Sequence, residues 1–242
     1  MLAPFRNSTN VWLKGLQLGV DGTVGDSENN QSARGQTTGR TNPRFQFFAS
    51  QPTKGERYRW GADLSWLVGP ASLRFEYDQQ RDQRKHLGPG GSDLADVVAT
   101  GLYVSGSFLL TGEDAVINGP VIPKRPFTPF LGRLGPGAWE LGLRYSKLTF
   151  GSKDPVDFFD GNIGNGITGG GSTAENGAQS LTAGVNWYAN SRTRMMFNWS
   201  QYWYETQLGT PFSCNQAACG AGNLKGRGNS NYEIQTRLQL WF

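Results

Sequence analysis

The feature that most limits what this chain can become is a two-residue alternation of apolar and polar side chains, repeated in eight long runs. Successive side chains on a β-strand point to opposite faces, so each run describes a ribbon with one oily side and one polar side. Lys14 to Val24 places Leu16, Leu18, Val20 and Val24 against Gln17, Gly19, Asp21 and Thr23. Arg57 to Val68 sets Tyr58, Trp60, Leu64 and Trp66 against Arg59, Asp63 and Ser65, and Leu73, Phe75 and Tyr77 alternate with Arg74, Glu76 and Asp78. The same pattern returns around Leu102 to Leu110, Trp139 to Ser146, Ser180 to Trp187, Arg194 to Trp203 and Tyr232 to Phe242. Most of the runs have about nine or more residues, enough to cross a bilayer when tilted. A helical period is nowhere convincing, so the expectation is an all-β, antiparallel meander of eight strands.

The connections are uneven. "VGPAS" and "ANSRT" are tight, whereas Gly25 to Glu56, Gln79 to Asp96, Gly151 to Gly177 and Gln207 to Ser230 are long and rich in Gly, Ser, Asn and Asp. Short turns at one end and long loops at the other suit a transmembrane β-barrel. Phe45 and Phe47 are read as part of the first long loop, because a further wall strand there would spoil the up-down parity. Gly112 to Pro136 breaks the rule: it is long and Pro-rich, yet parity puts it at the short-turn end.

The two faces need different surroundings. One carries Arg59, Asp63, Arg74, Glu76, Asp78, Glu140, Arg144, Arg194, Glu233 and Arg237. A protein core would not hold ten charges, since burying an unpaired charge costs several kcal/mol. A water-filled lumen holds them. On the other face Trp and Tyr gather near strand ends, as in the aromatic girdles of lipid-facing walls. A non-channel β protein, either a sandwich or a small closed barrel serving as adhesin or structural module, is the alternative.

Composition excludes other classes. No apolar run reaches the length of a transmembrane helix, but alternating strands keep mean hydropathy low, so a membrane location stays open. Net charge is only +4 and no Lys/Arg cluster forms a nucleic-acid stripe. No basic and apolar leader follows Met1. No nucleophile elbow, zinc-protease helix or phosphate-binding loop is present, and the single His86 has no catalytic partner, so no enzyme and no cofactor are expected. Cys214 and Cys219 in "CNQAAC" read as a short disulfide-closed loop outside the cytosol, with two free thiols as the alternative; a metal site is poorly supported.

Several stretches in order resemble the phosphate-selective porin family of O and P type: "WLKGLQLGV", "GERYRW", "YVSGSFLLTGEDA", "PKRPF", "GAWELGLRYSKL", "GVNWYANSRTRMMFNW" and "TRLQLWF". The resemblance implies a sixteen-stranded, homotrimeric channel of the bacterial outer membrane that passes anions, often phosphate or polyphosphate. By size this chain would be the C-terminal half of such a barrel, with "MLAPF" the tail of a preceding strand. Terminal Phe242 would be the signal that the barrel-assembly machinery docks by edge pairing.

An anion path needs positive charge at its narrow part. On the wall, Arg59, Arg74, Arg144, Arg194 and Arg237 are balanced by five acids, and a ladder of partly solvated ion pairs is expected. The stretch from Gly25 to Arg59 is richer, with six basic residues against three acids. The resemblance implies that the loop at 25–56 folds into the lumen. Arg34, Arg40, Arg44, Arg57 and Arg59 are therefore the expected anion path, with Arg74, Arg144, Arg194 and Arg237 as lumen wall.

Overall fold

The computed structural model describes residues 2–35, 48–116, 119–152, 175–204 and 230–241. One eight-stranded antiparallel sheet dominates them, in the order β1-β2-β3-β4-β7-β8-β9-β10. Its strands are β1 Leu16–Gly35, β2 Phe48–Val68, β3 Ala71–Arg84, β4 Leu94–Leu109, β7 Ala138–Ser152, β8 Glu175–Asn190, β9 Thr193–Tyr204 and β10 Ser230–Leu240. Two short strands, β5 Phe127–Thr128 and β6 Arg133–Leu134, form a separate hairpin between β4 and β7. One helical turn, Val11–Lys14, precedes β1 and is capped by the Asn10 side chain on Trp12 N–H. That turn was not anticipated; its signal is a single capping residue. All eight alternating runs are strands.

Register turns the local alternation into a global one. Across the sheet, Leu18, Leu64, Phe75, Val104, Tyr145 and Leu181 are successive cross-strand partners. One residue along, Gln17, Ser65, Arg74, Ser105, Arg144, Thr182, Ser200 and Glu233 form the matching polar row from β1 to β10. A slip of one residue at any pair would mix the two faces.

Among the described residues no second layer covers the apolar face. Val20 is 84% exposed, and Phe108, Leu141, Leu143, Phe197, Ile234 and Leu238 are all exposed. Soluble monomers rarely leave so continuous an apolar surface in water. Trp66 and Trp60 lie six residues apart on β2, about 20 Å at ~3.3 Å per residue, and frame that surface much as girdles frame a hydrocarbon band. Trp66 pairs with Trp12 at 6.0 Å, and Trp60 with Tyr77 at 5.0 Å.

Several strand ends lie elsewhere than the alternation suggested; β3 runs on to Arg84 and β4 begins at Leu94, both inside the expected loop Gln79 to Asp96. The first long loop was placed at 25–56, but β1 and β2 pair well beyond that, through Ser27 and Gly55 and, after register shifts, to Gly35 and Phe48. The backbone ladder continues where the apolar–polar alternation of the sequence has ended, so no periodicity marks it. Phe45, Phe47, Arg40 and Arg44 lie outside the described residues, as do Cys214, Cys219 and Phe242. β1 and β10 are the sheet's edges and do not pair with each other among the described residues; Leu2 makes one antiparallel bridge to Leu18 on the free side of β1.

Candidate functional site

The polar face is concave and holds a recess of about 480 Å³ toward the short-turn end. Arg74, Arg144 and Arg194 line it, from β3, β7 and β9, with Glu140 the one carboxylate among the lining residues. Small side chains make the room: Ser72, Ser107, Gly142 and Gly184 are successive cross-strand partners one row below the Arg74–Arg144 row.

Aromatic rings hold two of the guanidinium groups. Arg144 lies over Tyr103 at 3.9 Å from the ring centroid, and its Nε donates to Ser146 Oγ at 3.0 Å. Arg194 lies over Tyr188 at 5.0 Å, its direct cross-strand partner. A cation above a ring keeps its full charge, because the ring offers a quadrupole and no counter-charge. Glu140 accepts from three neutral donors: Ser107 Oγ at 2.6 Å, Asn186 Nδ2 at 2.8 Å and Tyr188 Oη at 2.9 Å.

The expected ladder of ion pairs is not what forms. Among the described residues, Arg74, Arg144, Arg194 and Arg237 make no ion pair. The charges are sorted by sign instead. Asp63 and Glu76 are direct cross-strand partners, and Gly61 lies between Asp21 and Asp78 as the partner of both. A Cβ at Gly61 would stand 2.6 Å from Asp78 Oδ1 and 3.1 Å from Asp21 Oδ2. Like charges facing each other cost stability, so this acidic strip on β1–β3 is tolerable only in contact with water. The arginines line the recess from β3, β7 and β9, nearer the short-turn end. The ion pairs Arg57–Asp82, Arg81–Asp96 and His86–Asp93 all lie toward the long-loop end.

The expected anion path therefore divides. Arg57 is in β2 and bonded to the buried Asp82, while Arg59 Nε donates to Gln80 Oε1 at 2.7 Å. Arg34 falls within β1. Of the four expected wall arginines, three meet at the recess; Arg237 stands on the edge strand β10, exposed and opposite Met196. Tyr103 and Tyr188 were missed as arginine platforms. Each is a tyrosine at a polar-face position, which is the signal that marks them.

The segment after β4 closes the recess from below. Ala115 N–H donates to Gly69 O at 2.7 Å, and Val121 packs with Leu109, Ala138 and Tyr188. Val116 and Gly119 join the recess lining. The Glu113 carboxylate accepts from the Thr111 hydroxyl and, at 3.0 Å, from Lys124 N–H. Burial pushes its pKa up, but these hydrogen bonds and the Lys124 charge outweigh burial and leave it below its ordinary 4.5. A depressed carboxyl contributes stability above its unfolded pKa and loses it as pH falls through the folded value. Hydrogen-exchange protection factors at Ala115 and Lys124 should therefore drop as the pH falls below the ordinary carboxylate range. Glu113→Gln should show the lower protection at neutral pH and no acid step.

The profile of the family described as phosphate-selective porin O and P matches residues 14–210. No curated protein matches the chain. Among solved structures, OmpT, an outer membrane protein of Vibrio cholerae, is similar at 10% identity and a TM-score of 0.48, covering 94% of this chain and 52% of that one. Neisserial surface protein A is similar at 9% identity and a TM-score of 0.26, covering 94% of this chain and 97% of that one. The chain thus spans about half the length of OmpT.

Proposed function

The chain belongs to the phosphate-selective porin O and P family, and on that premise we propose that this outer-membrane porin passes anions, phosphate among them, by passive diffusion through its polar lumen. The observation that carries the proposal is the recess with three arginines, one carboxylate and no ion pair between them. A guanidinium presents a planar fork that can bind two phosphate oxygens at once. Stacked on tyrosine, it is held in position without being neutralised. An anion crossing the recess would exchange part of its water shell for these donors and leave again, with no energy coupling and no chemical step.

Arg59 would extend the path toward the long-loop end, and Arg34 near the end of β1, with Arg40 and Arg44 beyond it in sequence, is proposed to carry it further. Arg57 contributes less, being committed to Asp82. Sheet edges cannot stay unpaired in hydrocarbon. We read the eight strands as part of a larger closed wall, sixteen-stranded and trimeric by resemblance to the family. An eight-stranded barrel would fill its interior with side chains, whereas this polar face keeps an open recess. Outer-membrane lipid and, through Phe242, the barrel-assembly machinery would be the other partners.

In planar bilayers with a KCl gradient, the reversal potential should show anion preference, and added phosphate should reduce chloride current. Cation preference would end the proposal. Replacing Arg34, Arg40 and Arg44 together by Ala should weaken the preference, and an unchanged potential removes those three from the path while leaving the recess.

A further inference from the structure

The segment between β4 and β7 has a second lobe that the channel reading does not use. After the inner part, Glu113 to Val121, the chain turns outward and forms the β5–β6 hairpin. Phe127 pairs with Leu134 and Thr128 with Arg133. A single 3-10 turn, Pro129–Leu131, makes the tip, and Gly132 N–H donates to Pro129 O at 3.0 Å. At this tip Phe130 is fully exposed, Leu131 is 74% and Leu134 75% exposed.

We propose that this hairpin is an interfacial anchor that lies in the headgroup layer of the leaflet at the short-turn end, with Phe130, Leu131 and Leu134 dipping toward the acyl chains. Three observations select lipid as the occupant. First, the hairpin is continuous with the wall's aromatic girdle. Phe127 meets Trp187 at 5.6 Å, Trp187 stacks on Trp139 at 5.9 Å, and both indole N–H groups donate to Pro136 O, at 2.8 and 3.1 Å. Girdle tryptophans sit at the membrane–water boundary, so their neighbour is held at that depth. Asn190 Nδ2, donating to Phe127 O at 3.2 Å, ties the hairpin to the foot of β8.

Second, the charge fits. From Arg125 to Leu134 the sequence holds Arg125 and Arg133 and no acid, and both are exposed. Basic side chains beside exposed aromatic and aliphatic ones suit anionic headgroups. Third, the patch is small. A stable protein interface covers about 800 Å² per partner, more than three apolar side chains on so short a hairpin supply. Interfacial insertion needs only a few such side chains, already ordered by a tight turn.

The test places an environment-sensitive nitrobenzoxadiazole label at Leu131→Cys, in a Cys214→Ser, Cys219→Ser background, and separately at Phe130→Cys and at Arg192→Cys in the β8–β9 turn. The full chain is reconstituted in phosphatidylethanolamine–phosphatidylglycerol vesicles. Labels at 130 and 131 should be quenched several-fold more by lipid brominated high on the acyl chain than the label at 192, and several-fold less by aqueous iodide. Iodide quenching equal to that at 192 means a hairpin in water. Protection from both quenchers means a protein cover, whether a second copy or another partner. Either result overturns the proposal.

Discussion

Replacing Arg74, Arg144 and Arg194 together by Ala should abolish the anion preference of the channel and turn it toward cations. The recess would go from three positive groups and one negative group to Glu140 alone. At about 7 Å in water each guanidinium attracts a monovalent anion by about 0.6 kcal/mol. Three together give about 1.8 kcal/mol, roughly a twentyfold change in anion occupancy. Screening sets the conditions for seeing it. The Debye length is about 10 Å at 0.1 M and about 3 Å at 1 M, so the change in permeability ratio should be large at low salt and nearly absent at 1 M. The corresponding Arg→Lys triple variant keeps the charge and should keep the preference, but phosphate should compete less well with chloride because the fork is lost. A triple Ala variant that assembles normally and still prefers anions at low salt would move the selective part of the path away from this recess.

Gly137→Val should unseat the segment 112–136 and raise single-channel conductance while leaving the sheet paired. Gly137 has φ of 70°, a left-handed conformation. A Cβ there would stand 2.5 Å from Tyr188 O and 2.6 Å from Trp187 Nε1. The first is β8 backbone and the second is hydrogen-bonded, so neither yields readily. Left-handed backbone costs a non-glycine residue about 1–2 kcal/mol. Displacing Gly137 also endangers its bond to Arg125 O and the two indole bonds to Pro136 O, each worth about 1 kcal/mol. With the seat lost, Val116 and Gly119 no longer line the recess. Gly132→Ala is the control. Its φ is 67°, but nothing lies within 4 Å of the added Cβ, so it carries strain without a clash and conductance should not change. Equal conductance in Gly137→Val and the parent would show that the segment does not narrow the path.

The fold was legible wherever one face was oily and the other polar. From Leu16 to Val24 or from Trp139 to Tyr145, alternation alone identified strand and faces. It failed at Asp26 to Gly35, where the sequence no longer alternates and only the backbone ladder records the strand. The site was legible in part. Arg74, Arg144 and Arg194 were placed on the wet face by parity, and that face is where the recess lies. Their partners were not legible, because parity says nothing about which residue of the next strand stands opposite.

What the sequence determined by itself is the two-sidedness of the ribbons, since side-chain direction in a strand is a local property with a period of two. Tertiary structure decided the rest. Register between strands put Asp63 against Glu76 and Arg194 against Tyr188, sorting charges that the chain lists in mixed order. Long-range hydrogen bonds, Ala115 to Gly69 and Trp187 to Pro136, decided that a Pro-rich connection would close the recess on one side and reach the aromatic girdle on the other. Those contacts join residues about fifty apart in sequence, and no local pattern encodes them.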